Sequence, residues 1–432
     1  MRGLRKIDFE VHYLTRVEGH ANIVLSASDR TIKELRLEIT EAPRFFEAFM
    51  RGTNYKDVAY VVSRVCGICS IGHSNASVKA TEAAFGVEVS EQTKLLRKLM
   101  MHGENMQSHA LHVYFLAFPD FLGAPSVFPL MDSNPEVVKI ALKVKRLAND
   151  LSDMFAGRTT HPIRNVPGGV TMVPSKDEMY DMKRRLYDAM PDIETTARLL
   201  SKVKIPEFER KTEFIALRKE DEYAIYDGRI TSSTGKSVDD SDYKALIKEF
   251  VVPHSTAKHA RASMDSYMVG ALARCNLSFG NLSPFARRIA DICKFTVPNF
   301  NPFMNTVAQL VEIAHSLEDS INIIDCLLDQ GVEEPIRVEF DVKAGRGVGV
   351  VEVPRGILFH EYEYDAEGRL VYVNLVIPTA QNLENIELDM KELVPKIMDR
   401  SEEEIQHLLE MLVRAYDPCI SCSAHMVDVK IV

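Results

Sequence analysis

Two stretches carry paired thiols at one spacing: Cys66 and Cys69 in SRVCGICSIGHS, and Cys419 and Cys422 in AYDPCISCSAH toward the other end of the chain. Two intervening residues let both sulfurs of a pair face one ion, and thiolates favour soft or borderline metals. Four thiolates from two pairs therefore predict one shared site. Softness alone suggests zinc or an iron–sulfur cluster ahead of nickel. The long separation of the pairs argues against a small zinc ribbon, whose pairs usually stand some fifteen to twenty residues apart. The second pair precedes MVDVKIV, a tail rich in β-formers, so these thiols stand where chains usually fray and need a partner that holds them. Cys275, Cys293 and Cys326 are scattered singly and read as inert core residues.

The elements that must position these groups come from a chain of 432 residues, 46% apolar, enough for a large core. Formal charge is 52 − 62 = −10 without a basic block, which excludes nucleic acid and an anionic membrane surface as obvious partners. The opening MRGLRKIDFEVHYL lacks the apolar core of a secretory signal, and no apolar run approaches about eighteen residues, so no membrane span is expected. Seven cysteines fit a reducing compartment, the cytoplasm, better than a disulfide scaffold.

Residues 8–40 alternate apolar and polar around SASDRT and predict an antiparallel β pair; 336–378 reads as a second β region broken at GRGVG and DAEGR. Between them, 90–118, 134–156, 176–203, 283–293 and 302–330 carry apolar residues at helical spacing, with breakers at DSNPE and NPF. The expected fold class is α+β, predominantly α: a long-helix bundle flanked by small antiparallel sheets in one catalytic domain over 1–432. Its expected parts are a β-rich opening 1–40, a helical core over 41–211 and 246–335, a polar β insertion 212–245, a β layer 336–380, and C-terminal helices with a ligand-bearing tail over 381–432.

In chain order the motifs are RVEGH at 16–20, RVCGICSIGH at 64–73, SHALHVYF at 108–115, EVPRG at 352–356 and DPCISCSAH at 417–425. Together, with Arg64, Asp417, Pro418 and His425 flanking the cysteines, they resemble the large subunit of nickel–iron hydrogenases along nearly the whole chain. The short chain and the form of the last motif look most like the cytosolic, bidirectional, multi-subunit branch linked to NAD(P) or ferredoxin. The resemblance implies Cys66 and Cys419 as terminal nickel ligands, and Cys69 and Cys422 bridging nickel to an iron that carries one carbonyl and two cyanides. It implies Glu18 beside Cys419 as proton acceptor, Arg355 after Pro354 facing the cyanides, Asp417 pairing with Arg355, and His73 near the bridging sulfur. A magnesium, or iron in its place, is implied at Glu47, the Leu383 carbonyl and His425. Ser108 stands where membrane-bound relatives carry an aspartate.

The implied reaction is reversible heterolytic splitting of dihydrogen, with electrons leaving to a small subunit that holds iron–sulfur clusters and on to flavin/NAD(P)- or ferredoxin-linked diaphorase subunits. The three remaining cysteines are too few for a cluster of this chain's own. A maturation protease cutting between His425 and Met426 is also implied. The residues alone leave blander readings open: a solvated Glu18, a surface Arg355 closing a turn, a satisfied core His73, and a tetrathiolate zinc scaffold tying the two ends. A quinone-module subunit of the respiratory complexes is a further alternative; those subunits lack the paired cysteines.

Overall fold

The computed structural model describes residues 6–28 and 31–424. Three strands, β1 (Lys6–Val11), β2 (Ala21–Ser28) and β3 (Thr31–Ile39), form an antiparallel sheet in the order β1-β2-β3, one strand more than the expected pair. In β2, Ala21, Ile23, Leu25 and Ala27 are buried and alternate with half-buried neighbours, the period-two signature that fixes register.

Short helices α1 (Phe46–Phe49) and α2 (Tyr55–Val62) lead to α3 (Ser70–Phe85), which is buried on nearly every side. Ser90 then caps α4 (Glu91–Ala110), its hydroxyl accepting from the Thr93 amide at 3.2 Å. Continuing α4, residues 111–117 widen into a π-turn. Helix α5 (Pro135–Ala156) opens on proline and stops at Gly157, whose φ of 81° is left-handed. Helix α6 (Lys176–Leu200) starts in a reciprocal capping box between Ser175 and Glu178.

A second sheet holds β4 (Glu213–Arg218) and β5 (Arg229–Ser232) as an antiparallel pair; β6 (Lys248–Phe250) and β7 (His259–Arg261) pair in a two-stranded ribbon of their own, and β8 (Tyr267–Met268) runs parallel to β4 in the second sheet. Phe214–Leu217 are buried, and a satellite core of Ile215, Leu217, Ile230, Tyr243, Val350, Ile357 and Phe359 joins this sheet to the next. Helices α7 (Ala271–Ser278) and α8 (Pro284–Ile292) precede the long α9 (Asn305–Gln330), which packs against α4, α6 and α8; α5 packs on α4 and α6. These long helices are the bundle expected from their apolar spacing.

The third sheet is β9 (Gly345–Val353), β10 (Gly356–Tyr364) and β11 (Leu370–Val376), antiparallel in that order. The glycines of GRGVG lie inside β9 rather than breaking it. A Cβ on Gly345, Gly347 or Gly349 would come within 2.1–2.2 Å of the carbonyl oxygens of Ala84, Ala80 and Ala76 respectively. Two strand residues advance about 6.6 Å and four helix residues about 6 Å, so alternate glycines of β9 match every fourth alanine of α3. The helix therefore lies directly on strand backbone. Helices α10 (Pro378–Ile397), α11 (Glu402–Ala415) and the single turn α12 (Ile420–Ser423) complete the α+β, predominantly helical fold. Among the described residues no helix is long and apolar enough to cross a membrane.

Candidate metal centre

Cys66 follows the 3-10 turn Ser63–Val65, and Cys69 stands at the N-terminal cap of α3. Cys419 caps α12 and Cys422 lies within it. All four are buried. The Cys66 and Cys419 sulfurs are 3.7 Å apart, and the Cys69 amide donates to the Cys66 sulfur at 3.0 Å. The sulfurs of Cys66, Cys419 and Cys422 lie within 4.8 Å of one another, and so do ligand atoms of Cys69, His73 and Cys422. Residues from the two ends thus meet in one cluster.

The C-terminal thiol turn is held by polar groups from remote elements. The Ile420 amide donates to the Glu18 carbonyl at 2.9 Å, the Ser421 amide to Glu18 Oε2 at 3.0 Å, and the Cys419 amide to Thr379 Oγ1 at 2.9 Å. Gly19, at φ +84°, permits this approach, because a Cβ there would stand 2.7 Å from Ile420 Cβ and 2.9 Å from the Ser421 nitrogen. Arg44 ties both turns together. Its amide donates to the Ala424 carbonyl at 2.9 Å, and its guanidinium donates to the Ser421 carbonyl at 2.9 Å and to the Val65 carbonyl.

Glu18 Oε2 accepts from the Cys419 thiol at 3.1 Å, so the half-buried carboxylate touches a candidate ligand directly. Arg355 is buried; its Nε donates to the Asp417 carbonyl at 2.6 Å, Nη2 to Asp417 Oδ1 at 2.8 Å, and Nη1 to Ser108 Oγ at 3.2 Å. Asp417, itself left-handed at φ 51°, accepts at Oδ2 from Gln309 Nε2 at 3.0 Å, and Gln309 also meets His112. The motif around 108–115 therefore serves the Arg355–Asp417 pair through Ser108 and, indirectly, His112. The Pro354 carbonyl accepts from Arg274 at 3.1 Å, which fixes the turn before Arg355. His73 Nδ1 faces His360 Nε2 at 3.0 Å, and His360 Nδ1 faces the Tyr362 hydroxyl at 2.8 Å.

The thiols divide sharply in acidity. Burial opposes ionisation of Cys66, but hydrogen bonds from Cys419, Cys422 and Cys69 outweigh it and hold this thiol well below its ordinary value. Cys69 is held well above by its hydrogen bond with Cys419, and Cys422 by burial first and then its neighbouring thiols. One negative charge is accommodated and three more are resisted, as close like charges in a dry site must be. A polyvalent cation reverses that balance. Burial works against the charged Arg355, yet Asp417 and the thiolates keep its guanidinium protonated.

Glu47 and Leu383 are buried, Glu47 in α1 and Leu383 in α10; Glu47 Oε1 accepts from the Leu375 amide at 2.8 Å, with Lys258 Nζ at 3.9 Å. His425, the third residue of that expected site, and the 425–426 peptide bond lie outside the described residues.

Sequence reasoning passes over Arg44, Thr379, Gln309 and Glu104. Glu104, buried in α4, accepts from the Ile71 amide at 2.7 Å and the Gly72 amide at 3.0 Å, capping the start of α3 beside Cys69. Burial pushes its carboxyl up to about 8 against those two bonds. Its signal is the run of polar residues Glu104, Asn105, Gln107, Ser108 and His109 inside a helical stretch, where a buried polar face implies partners.

A family model described as nickel-dependent hydrogenase matches residues 44–134 and 303–425. The alpha chain of sulfhydrogenase 1 from Pyrococcus furiosus is 35% identical over 419 residues, covering 96% of this chain and 97% of the relative. An F420-non-reducing hydrogenase chain of Methanothermobacter thermautotrophicus is 30% identical, covering 96% of this chain and 94% of the relative. Among solved structures, an NAD+-reducing nickel–iron hydrogenase in its H2-reduced state superposes with a TM-score of 0.87 at 28% identity, over 97% of this chain and 99% of that one. Identity and coverage at this level, on a fold that gathers the four cysteines, make the chain a member of the nickel-dependent hydrogenase family, in which it is the large, catalytic subunit.

Proposed function

We propose that Cys66, Cys69, Cys419 and Cys422 hold a nickel–iron pair, with Cys66 and Cys419 terminal on nickel and Cys69 and Cys422 shared with an iron that bears one carbonyl and two cyanides. The donor set fits: four buried sulfurs, of which three resist ionisation until a cation compensates them. When bound, the metal pair supplies the Lewis acidity and redox capacity that reversible heterolytic cleavage of dihydrogen requires.

The chain's own residues do the rest. Glu18 takes and returns a proton at Cys419 Sγ; its 3.1 Å contact with that sulfur is the observation that carries this reading. Arg355, locked by Asp417, keeps a fixed positive charge and spare N–H donors over the cluster, where anionic diatomic ligands would be held. His73, steered by His360, lies beside the shared sulfurs. Glu47, the Leu383 carbonyl and His425 are proposed to hold magnesium or iron.

Only Cys275, Cys293 and Cys326 remain besides the site cysteines, and burial pushes the thiols of Cys275 and Cys293 upward, away from ligation. Electrons therefore leave through a partner small subunit with iron–sulfur clusters. The NAD+-reducing neighbour supports NAD(P), with ferredoxin as the other acceptor, through diaphorase subunits in the cytoplasm. Maturation by a protease acting after His425 completes the proposal.

An infrared spectrum of the purified complex tests it, alongside metal analysis. Nitrile-type and metal-carbonyl bands with nickel and iron in near-equal amounts are expected. Zinc alone, or active metal-replete protein without those bands, would defeat the assignment.

A further inference from the structure

Away from the thiols, two histidines and two glutamates converge where the first sheet, the β6–β7 ribbon and α10 meet. The segment before β7 is pinned to the end of β3: the Thr256 amide donates to the Ile39 carbonyl at 3.1 Å and its hydroxyl to the Glu41 carbonyl at 2.7 Å. This places His254 Nε2 at 2.7 Å from Glu387 Oε1, which also accepts from the Leu37 amide at 3.0 Å. His259, on β7, faces Glu384 Oε2 through Nδ1 at 2.8 Å. Glu384 and Glu387 stand three apart on α10 and share a face. The two imidazoles meet edge to face, ring centroids 5.7 Å apart. One ligand atom from each of His254, His259 and Glu387 lies within 4.8 Å of the other two.

His259 carries the decisive feature. Its side chain is 1% exposed, and Nε2 is buried without a hydrogen-bond partner. With Nδ1–H donated to a carboxylate, Nε2 presents a bare lone pair, and an acceptor left buried and unpaired is destabilising. A carboxylate orienting one ring nitrogen while the other stands free is the outer-sphere arrangement of histidine metal ligands.

We propose that His254, His259 and Glu387 form a second, structural metal site that takes zinc or another borderline divalent cation, with Glu384 orienting His259. Two imidazole nitrogens and one carboxylate oxygen suit such an ion better than magnesium or calcium. Tetrahedral zinc with bonds of about 2.0–2.1 Å needs donors roughly 3.3 Å apart, so the trio closes slightly and the His254–Glu387 hydrogen bond gives way to two metal bonds. His254, 23% exposed, leaves a route from solvent, which would supply water as fourth ligand. The ion clamps β7 and the segment before it to α10, the helix whose first turn carries Thr379 and so positions Cys419.

The test uses the purified holo complex, its thiol site already loaded. Loosely held metal is removed with a mild chelator, zinc alone is added back, and zinc per chain is measured together with anomalous scattering at the zinc edge in crystals. One zinc equivalent peaking between His254, His259 and Glu387 is expected, with His254→Ala abolishing it and Glu384→Gln weakening it about 10- to 100-fold, nickel and iron content unchanged. Because His254 is half-buried, its variant is expected to fold; a melting curve verifies this. Equal zinc retention in His254→Ala, or an ordered water rather than an anomalous peak at His259 Nε2 under saturating zinc, overturns the proposal.

Discussion

The two cysteine pairs share a spacing and are held in opposite ways. Cys66 and Cys69 open α3, in which 14 of 16 residues are buried and whose alanines rest on the glycine face of β9. Cys419 precedes, and Cys422 lies in, a four-residue helix whose backbone is fastened by Glu18, Arg44 and Thr379, with Asp417 fastened by Arg355. The first pair is positioned mainly by packing, which is cooperative with the whole core, with Glu104 and Arg44 adding polar ties. The second is positioned by directional tethers, each worth about 0.5–1.5 kcal/mol net, or 1.5–3 where a charge takes part. A turn held this way can be assembled late and seated as a unit, whereas the first cannot move without unfolding the centre.

The largest test of that contrast is Gly347→Val. Its Cβ would stand 2.1 Å from the Ala80 carbonyl and 2.3 Å from the Ala84 nitrogen, contacts with backbone that cannot swing aside. A loss above about 4 kcal/mol, and hence no folded protein on expression, is expected; a melting temperature near wild type would show that α3 is not anchored this way. Next comes Glu18→Gln, which keeps an acceptor for the Ser421 amide but cannot cycle a proton. Hydrogen turnover should fall about 10²- to 10⁴-fold with nickel and iron retained. Normal turnover at full metal content would remove Glu18 from the proton route.

Arg44→Met separates tether from packing more finely. It deletes the guanidinium bonds to the Ser421 and Val65 carbonyls, costing roughly 1–3 kcal/mol. Amide exchange should quicken at Ile420–Ala424 while the interior of α3 stays protected; equal acceleration in both would mean that the turns are not independently held. The smallest effect concerns Glu352 on β9, in the packed half. Burial pushes its carboxyl from 4.5 up to about 7 in spite of Arg274 at 2.8 Å. Its stabilising protonated form is fully populated below about pH 4.5 and is lost as pH rises through about 7. Glu352→Gln should therefore melt with a flatter pH dependence between 5 and 8, and an unchanged slope would place the titrating group elsewhere.

Much of the chemistry is legible because it is local: Cys-x-x-Cys spacing needs no knowledge of the fold, and long amphipathic helices such as α5 and α9 announce themselves by their apolar stripes. What escapes depends on partners distant in sequence. Helix α3 is buried all round with serines, asparagine and alanines, so it carries no stripe to count. GRGVG reads as a break because glycine ordinarily weakens a strand, and only the helix lying on it gives the glycines a purpose. The π-turn at 111–117 has the same apolar spacing as its flanks and reads as plain helix. Arg44, Thr379 and Gln309 act through hydrogen bonds to partners 377, 40 and 108 positions away, and His254 and His259 become a pair only when α10 brings Glu384 and Glu387 beneath them.

The contact between Glu18 and Cys419 joins residues 401 positions apart. During translation, at roughly 5–20 residues per second, Glu18 leaves the peptidyl transferase centre on the order of 20–80 s before Cys419 is even polymerised. For most of that interval the first cysteine pair, 353 positions before Cys419, waits in a nascent chain with its future partners still encoded in messenger RNA. A site that needs all four thiols can therefore be completed only after the last turn has been polymerised, by which time the bundle can already have folded.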